Sequence, residues 1–386
     1  MLFDEAALAA ETSSSLSVSE RIAVLHRGAS ALASVGLSWC RSETKPDLPD
    51  LGVSLSADSE EFKQLLRVKS RVDDIARLII REGDVGSLNI SCLVDLVWSF
   101  AIVGLVNREF LLRARQRIQT LAATSDLSPA TSVKLLFAEA SLYHQHAAID
   151  VWFDEETFKK FPPADQANAL LALGLVGRHA ELAKRLKRIL VSSLVHAEDK
   201  SSVAYIAPFA VRACLLVSAL EGDDGHHEVS KLKSAFPELT KRTSKVTWKY
   251  SFELCLACHA AVSRGVELNP VVESAYPADV LFVPPKGKKK IVIELVRSSA
   301  LVREDHEVVG VDAYTRAMRI VLASKGYRIV AITLGEWLAL DGDKNKQLSF
   351  VKRRIRNCLR QRRLVTGMER DESLISDSGS DSDMSY

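Results

Sequence analysis

The chain has 386 residues, of which 47% are apolar, and its six cysteines are dispersed along it. A chain of this length and apolar content can bury more than one hydrophobic core, so we expect a globular protein of two or three domains. Dispersed cysteines argue against a disulfide framework. No apolar run has the length that a bilayer requires, which argues against a membrane span.

The formal net charge of +2 conceals a strong charge asymmetry along the chain. Residues 284–364 contain nineteen lysines and arginines against eight acidic residues, whereas residues 369–386 contain six acidic residues against one arginine. A basic segment of this kind is the electrostatic signature of a protein that binds a phosphate backbone. The charge pattern therefore favours a polyanionic partner.

Residues 1–58 are predicted to form an N-terminal helix, Val18–Ala33, followed by a linker that contains proline. The stretch Ser13–Arg41 is rich in Ser, Ala and Leu with spaced arginines, which is a diluted form of the composition of transit peptides. The first residues, Met1–Glu5, include two acids and do not fit a transit peptide. A role in targeting stays open here, with an ordinary amphipathic helix as the alternative.

Residues 59–268 are predicted to form successive helices between breaks rich in glycine and proline. Three segments, Leu96–Gly104, Leu135–Ala140 and Ala169–Gly177, align at intervals of thirty-nine and thirty-four residues, which bracket the period of a two-helix repeat. A stack of such helix pairs would present a concave face. Basic residues on that face could contact phosphates, with solvated surface charge as the alternative. These residues are Lys184, Arg185, Lys187 and Arg188.

The sequence C-x-x-C-H at Cys255–His259 has the spacing of c-type haem attachment. It lies within an unbroken apolar stretch, Trp248–Val262, that is predicted to be a buried helix. No second pair of Cys or His residues stands at the spacing of zinc ligands. We therefore interpret the two cysteines as inert buried thiols and expect neither a metal nor a cofactor.

Residues 269–365 are predicted to form a small α/β domain that ends in a basic helix. Two apolar runs of strand length are joined by a lysine-rich turn, and a later helix stops at Gly326, where glycine can take the left-handed conformation of a C-cap. The predicted order is strand, strand, helix, strand, helix, with bounds Ala278–Val283, Ile291–Val296, Thr315–Lys325, Tyr327–Ile332 and Leu348–Arg363.

This α/β stretch resembles the RAP domain, an RNA-binding module of organellar proteins. The match rests on Asp279, Glu294, Thr315, Leu322, Gly326, Tyr327, Glu336 and Trp337. The helical segments before it, above all Leu96–Ala101, are similar to the degenerate octotricopeptide or FASTK-like repeats that commonly precede a RAP domain. The resemblance implies a mostly α protein, in which an α-helical repeat array is followed by a small α/β RAP domain of PD-(D/E)xK-like fold.

Nucleases of the PD-(D/E)xK fold need two carboxylates that hold Mg²⁺ and a lysine that orients the attacking water. Asp279 and Glu294 occupy the carboxylate positions, but Val296 stands at the lysine position. The polar residues of the RAP pattern that usually follow are also replaced, at 296–300. We therefore expect no catalytic residues, and expect the two carboxylates to cap turns or to pair with a nearby arginine. Trp337 is expected to close a core.

Two clusters of basic residues are the candidate RNA-binding residues. One lies in the hairpin turn, and the other places seven basic residues and no acid between Lys352 and Arg363. No row of aromatic residues accompanies them, so we expect recognition of backbone and shape more than of bases. The candidates are Lys286, Lys288, Lys289, Lys290, Lys352, Arg353, Arg354, Arg356, Arg360, Arg362 and Arg363.

Residues 366–386 are acidic and rich in serine, and their composition predicts disorder. Three roles stay open for this segment. It could fold over the basic helix and compete with RNA, it could be a substrate for phosphorylation, or it could be a solvated tail.

The sequence thus predicts a non-catalytic RNA-binding protein of mitochondrial gene expression, without a small-molecule substrate. The resemblance implies a location in the mitochondrion. It also implies binding of ribosomal RNA, as a component or assembly factor of the mitochondrial ribosome in contact with ribosomal proteins, or stabilisation or processing of organellar transcripts. The alternatives are a PD-(D/E)xK-like RNA endonuclease and a protein–protein scaffold whose basic helix binds an acidic partner.

Overall fold

The architecture comes from a computed structural model, which is mostly helical and carries a small mixed sheet of four strands. The described residues are 17–27, 29, 74–81, 85–123, 127–142, 154–177, 179–223, 225–240, 249–262, 264–273, 276–284, 289–296, 301–304 and 307–360. Several predictions fall outside these ranges and stay untested. They are the linker that follows the first helix, the acidic segment 366–386, and the candidates Lys286, Lys288, Arg362 and Arg363.

Helical segments at 18–27 and 74–81 precede nine helices that make up the first part of the described chain. The bounds of these nine are α1 Ile90–Val103, α2 Arg108–Ala122, α3 Pro129–Leu142, α4 Glu155–Lys159, α5 Pro163–Val176, α6 Ala180–Val195, α7 Lys200–Val203, α8 Ala207–Glu221 and α9 His226–Ala235. A two-residue strand, β1 Leu105–Val106, lies between α1 and α2.

Two of the three aligned segments, Leu96–Gly104 and Ala169–Gly177, end in a glycine that follows a helix, and Gly222 ends a further helix in the same way. Gly104, Gly177 and Gly222 follow α1, α5 and α8 with φ angles of 74°, 70° and 71°. Glycine adopts this left-handed conformation without the steric cost that a Cβ imposes, so each one ends its helix. At the other end, the side chains of Asn89 and Asn107 accept hydrogen bonds from Cys92 N and Phe110 N and cap α1 and α2.

Four helices of this region pack side by side in the order α1, α3, α5, α8. Their facing sides are apolar and buried, as at Leu136 of α3, Leu170 of α5 and Cys214 of α8. The other helices flank this row, with α2 against α1 and α6 against both α5 and α8. We call this arrangement the helical layer.

The rest of the described chain forms an α/β unit. Its helices are α10 Lys249–Val262, α11 Ala313–Ser324, α12 Leu334–Leu338 and α13 Lys344–Arg360. Its strands are β2 Val266–Leu268, β3 Val271–Val272, β4 Tyr276–Pro277, β5 Val280–Phe282, β6 Ile291–Val296, β7 Leu301–Glu304, β8 Glu307–Val311 and β9 Arg328–Thr333.

The sheet has the order β2-β5-β6-β9. The first three strands are antiparallel neighbours, so the lysine-rich turn between β5 and β6 does join a hairpin. Strand β9 pairs parallel to β6, with Ile291 opposite Arg328, because α11 carries the chain back across the sheet. The predicted order of these elements is confirmed, and β6 has the predicted bounds.

Each face of the sheet packs on a different partner. On one face, Ile293 and Leu295 of β6 join Leu254 of α10 and Ile355 of α13 in a core. On the other, Val292 and residues of α11 such as Val321 share a core with the helical layer. Helix α10, which the sequence analysis placed with the helical region 59–268, therefore packs as part of the α/β unit.

The structure also contains a hairpin that the sequence analysis missed. Strands β7 and β8 pair antiparallel, and β7 pairs parallel with β1, so that Leu105 lies opposite Arg303. Val302 of this hairpin is buried in the core formed by the N-terminal helical segments, α1 and α2. The hairpin thus connects the α/β unit to the far end of the helical layer.

The buried helix predicted at 248–262 is present over its described residues as α10, but it is buried on one side only. Helix α10 does form, but Phe252 is 48% exposed and Leu256 is 55% exposed. Only the side of α10 that bears Leu254 and Cys258 faces the core. In the part of the chain that the structure describes, none of the helices combines the length and apolar character needed to cross a bilayer.

Candidate nucleic-acid interface

Helix α13 has one apolar side and one basic side. Its buried residues, Gln347, Val351, Ile355 and Cys358, recur every three or four positions and face the core of the α/β unit. The remaining positions point away from that core and carry the basic residues. Those that are exposed are Lys344, Lys346, Lys352, Arg353, Arg356 and Arg360.

Within the described part of the chain, acidic side chains leave most of the charges on the outer side of α13 unpaired. Among the residues described, no carboxylate lies within ion-pair distance of Lys352, Arg356 or Arg360. The guanidinium of Arg353 lies 5.8 Å from the centre of the Phe350 ring, which leaves its charge in place. This side of the helix is therefore available to an anionic partner.

Arg354 differs from the other candidates because it is half-buried and paired. Its guanidinium donates to Glu336 of α12 and lies 5.3 Å from the centre of the Phe350 ring. Glu336 also accepts from the backbone N–H of Thr333 at 2.8 Å, which completes a capping box at the start of α12. Arg354 and Glu336 thus fix α13 against α12, and Arg354 is a positioning residue more than a phosphate ligand.

Of the lysines in the turn, Lys290 lies close in the backbone to the end of α13. Lys290 precedes β6 and Arg328 begins β9, and the backbone N–H of Arg328 donates to the carbonyl of Lys290 at 2.8 Å. The guanidinium of Arg328 in turn donates to the carbonyl of Cys358, in the last turn of α13. Arg328 was not a predicted site residue, and it links the two basic clusters.

The two clusters therefore lie at the same edge of the α/β unit. Lys289 and Lys290 are exposed just before β6, and the ammonium of Lys290 lies 5.6 Å from the centre of the Tyr327 ring, which belongs to the core on the sheet face opposite α13. We call this edge the basic face, and its described members are Lys289, Lys290, Lys352, Arg353, Arg356 and Arg360.

The two candidate nuclease carboxylates are bound by separate partners. Asp279 is buried, and it accepts hydrogen bonds from the hydroxyl of Ser251 at 2.5 Å and from the backbone N–H of Leu295 at 2.9 Å. Its two oxygens thus tie α10 to β6. This role is structural, but these two contacts are neither the turn cap nor the arginine pair that the sequence analysis expected.

Glu294 pairs with Arg319 of α11, whose Nε and Nη2 both lie 3.1 Å from Glu294 Oε2. Burial raises the pKa of Glu294, and the positive charge of Arg319 opposes that rise. Val296, at the position of the nuclease lysine, is 2% exposed and packs in the sheet. Among the described residues, no group of three or more His, Cys, Asp or Glu side chains could hold a metal ion.

Sequence reasoning did not identify Arg319 or Arg316, although both are buried in the joint between the two parts of the protein. Arg316 donates to the carbonyl of Ala140 at the end of α3, and burial lowers the pKa of Arg316 to about 10. A signal existed in the sequence, since two arginines interrupt the apolar side of the predicted helix Thr315–Lys325. Charged groups there require partners from other elements.

The remaining residues of the family signature have structural roles. Asp312 caps α11 by accepting the N–H of Thr315 at 2.7 Å. Gly326 has a φ of 82°, and Tyr327 N donates to Leu322 O at 3.0 Å, which is the Schellman arrangement at a helix end. Trp337 is 1% exposed and closes the core between the sheet and α13, as predicted.

One of the four basic residues of α6 that the sequence analysis considered for phosphate contact, Lys187, is buried; Lys184 is half-buried. Lys187 is 2% exposed and lies 2.9 Å from Ser218 Oγ and 3.3 Å from Glu221 Oε2. Arg185 lies 3.7 Å from Glu155, and Arg188 is exposed. Helical periodicity turns Lys187 inwards, since it follows Ala183 by four positions on the buried side of α6.

The two cysteines of the C-x-x-C-H motif have the chemistry expected of inert thiols. Cys258 is fully buried, and burial raises its pKa to about 12. Cys255 is half-buried, and burial also raises its pKa. Both thiols therefore stay protonated at neutral pH, which disfavours nucleophilic attack and metal binding.

Comparisons with known proteins do not assign this chain to a family. No model of a protein family matches the sequence, and a search of curated proteins also finds no match.

Proposed function

We propose that this protein binds RNA through the basic face and has no catalytic role. The observation that carries the proposal is that Arg328 connects two basic clusters far apart in sequence at one edge of the α/β unit. Exposed arginines and lysines attract a phosphate backbone and release its counterions on binding.

The proposal includes a family and a location. The resemblance to RAP-domain proteins implies ribosomal RNA as the ligand, with the protein acting in the mitochondrion as a component or assembly factor of the ribosome. Stabilisation or processing of organellar transcripts is the second role that the resemblance implies. Backbone recognition fits a structured RNA, because helix α13 offers charges and no row of exposed aromatic side chains on which bases could stack.

The fold assignment belongs to the same proposal. We infer that the α/β unit is a relative of the PD-(D/E)xK fold, supported by the hairpin β5–β6 and the parallel pair β6–β9 around α11. We infer that the helical layer is a degenerate repeat array. The support for this is the row α1, α3, α5, α8 and the matching glycines at the ends of three of its helices.

The contacts of the carboxylates weigh against the endonuclease alternative. The guanidinium of Arg319 lies where it neutralises Glu294, and Asp279 is occupied by two hydrogen bonds. A metal ion would have to displace these partners, and Val296 could not orient an attacking water. Hydrolysis would be established by Mg²⁺-dependent cleavage of RNA that is lost in Asp279→Ala.

The test is a pair of double charge reversals in the full chain. Lys352→Glu with Arg356→Glu alters the basic face, and Lys200→Glu with Lys231→Glu makes the same change of charge at exposed positions elsewhere. Binding is measured by fluorescence anisotropy with a hairpin from mitochondrial ribosomal RNA, in a salt series. A single-stranded oligonucleotide of equal length serves as the second ligand.

We expect the first variant to lose more than ten-fold in affinity for the hairpin at about 0.1 M salt. Its slope of log affinity against log salt should fall by about 1.8, the effect of two lost contacts to a double-stranded backbone. The control variant should retain both affinity and slope. If both variants lose affinity equally, the loss is explained by net charge and the proposal is contradicted. It is also contradicted if neither variant changes RNA binding.

A further inference from the structure

The outer surface of the layer formed by α10 and α13 exposes large apolar side chains. Phe252 and Leu256 of α10 are 48% and 55% exposed, and they lie four positions apart on one side of the helix. Leu359 of α13 is 37% exposed. All three residues belong to neighbouring helices of one layer, and exposed apolar groups of this size favour a partner that covers them.

Apolar and basic groups share one side of α13. Leu359 follows Lys352 by seven positions and Arg356 by three, so the three side chains lie along one stripe. The opposite flank of the helix holds Phe350 and Arg354, which contact other residues. An RNA backbone would pair with the charges of this stripe and leave the apolar groups exposed. The surface therefore fits an occupant that is both acidic and apolar.

The chain contains a segment of this composition beyond the described residues. Residues 371–383 carry five acidic residues and no basic residue, and Leu374 and Ile375 stand between Glu372 and Asp377. The apolar pair is complementary to Leu359 in the stripe of α13, and the flanking acids are complementary to Lys352 and Arg356.

The length of the intervening chain permits binding within one molecule. Leu374 lies fourteen residues after Arg360, a span of up to about 46 Å at roughly 3.3 Å per residue. Helix α13 has seventeen residues and is about 26 Å long. The segment can thus reach any part of the outer surface of α13, at a high effective concentration because it is tethered.

We propose that residues 371–383 dock on the outer surface of α10 and α13 in the same molecule, with Leu374 and Ile375 against the exposed apolar residues and the acids against the basic face. Docking itself is independent of the proposed function. Its consequence, competition with RNA for the basic face, rests on that function.

Docking is tested in the full chain by hydroxyl-radical footprinting with mass spectrometry. The variant Leu374→Ser with Ile375→Ser removes the apolar pair without changing net charge, and Met384→Ser is the matched control outside the proposed segment. We expect oxidation of Phe252 and Leu256 to rise at least two-fold in the double variant and to stay unchanged in the control. Equal oxidation in all three chains would overturn the proposal. Protection that grows with protein concentration would assign the segment to a second copy and would overturn docking within one molecule.

The competition is tested by affinity for the ribosomal RNA hairpin at about 0.1 M salt. The double variant should bind three- to ten-fold more tightly than the natural chain, and the control should bind equally well. Because net charge is the same in all three chains, general electrostatic repulsion by the acidic segment cannot produce this difference. If oxidation of Phe252 and Leu256 rises in the double variant but RNA affinity does not change, docking is retained and the basic face is refuted as the RNA site. An absent footprint response would refute docking alone.

Discussion

The ion pair between Glu294 and Arg319 involves one of the two carboxylates that the sequence analysis considered as metal ligands. Both side chains are almost fully buried, and the guanidinium binds one carboxylate oxygen through two nitrogens. A buried charge whose partner is removed is strongly destabilising, because the remaining charge has neither water nor a counterion. The pair is therefore a support of the fold, and its contribution can be measured.

We predict that Arg319→Gln lowers the free energy of unfolding by about 3 kcal/mol near pH 8. Burial raises the pKa of Glu294, and Arg319 opposes the rise, so loss of Arg319 raises the pKa of Glu294 further. A carboxyl with a raised pKa in the folded chain favours folding below its unfolded pKa, and that contribution is lost as pH rises through the folded pKa.

The loss in Arg319→Gln should consequently be smaller near pH 5 than near pH 8, as measured by urea unfolding at both values. The double variant Arg319→Gln with Glu294→Gln should recover part of the stability at the higher pH. A loss that is independent of pH, or one that the second substitution deepens, would contradict this assignment.

Lys187 offers a second test, because its neighbour Arg188 is an exposed control on the same helix. The ammonium of Lys187 is surrounded by Ser218, Glu221 and, at 4.0 Å, Glu228. We predict that Lys187→Met lowers the free energy of unfolding by about 3 kcal/mol, whereas Arg188→Met changes it by less than about 0.5 kcal/mol. Urea unfolding of the two variants measures both values, and similar values for the two would be the contrary result.

Elements that depend on local sequence were predicted well. The bounds of β6, the left-handed Gly326 and the core position of Trp337 follow from apolar run length, from glycine at a helix end and from the size of an indole. Helix α13 begins four residues before its predicted start, since the side chain of Asp343 accepts the N–H of Asn345 and caps it. Caps of this kind extend helices into segments that lack apolar periodicity.

Features that depend on contacts between distant segments were not predicted. The hairpin β7–β8 pairs with a strand of only two residues almost two hundred positions earlier, and such pairing leaves no local pattern. The same reason explains Arg319 and Arg328, whose partners come from other elements. The basic residues of the candidate site were therefore predicted from the sequence, whereas the contacts that bring them together were not.

Two glycines of the α/β unit form a matched pair for testing the end of α11. Gly326 has a φ of 82° and Gly335, in α12, has no positive φ, and a Cβ added at either would meet nothing within 4 Å. Conformation is then the main difference between them. We predict that Gly326→Ala costs about 1 kcal/mol of stability and that Gly335→Ala is neutral or stabilising, as measured by thermal unfolding. A neutral Gly326→Ala would show that the helix end can adopt another conformation.

At the scale of the whole molecule, the helical layer and the α/β unit share a hydrophobic core. Leu170 of α5 and Val292 of β6 belong to the same buried cluster, and both are 0% exposed. Arg316 of α11 adds a hydrogen bond to the carbonyl of Ala140 in the helical layer. The β7–β8 hairpin adds strand pairing with β1, next to α1. Parts that share a core and two further connections should unfold as one cooperative unit.

We therefore predict that a cavity in the helical layer destabilises the distant sheet. Leu170→Ala should cost about 3 kcal/mol, so the slowest amides of α5 should exchange their hydrogens about two orders of magnitude faster. In a single cooperative unit the slowest amides of β6 and β9 accelerate by the same factor, because they exchange only through global opening. Hydrogen exchange with mass spectrometry measures both regions in one experiment. Acceleration confined to the helical layer would mean that the α/β unit, and the basic face with it, is stable without its neighbour.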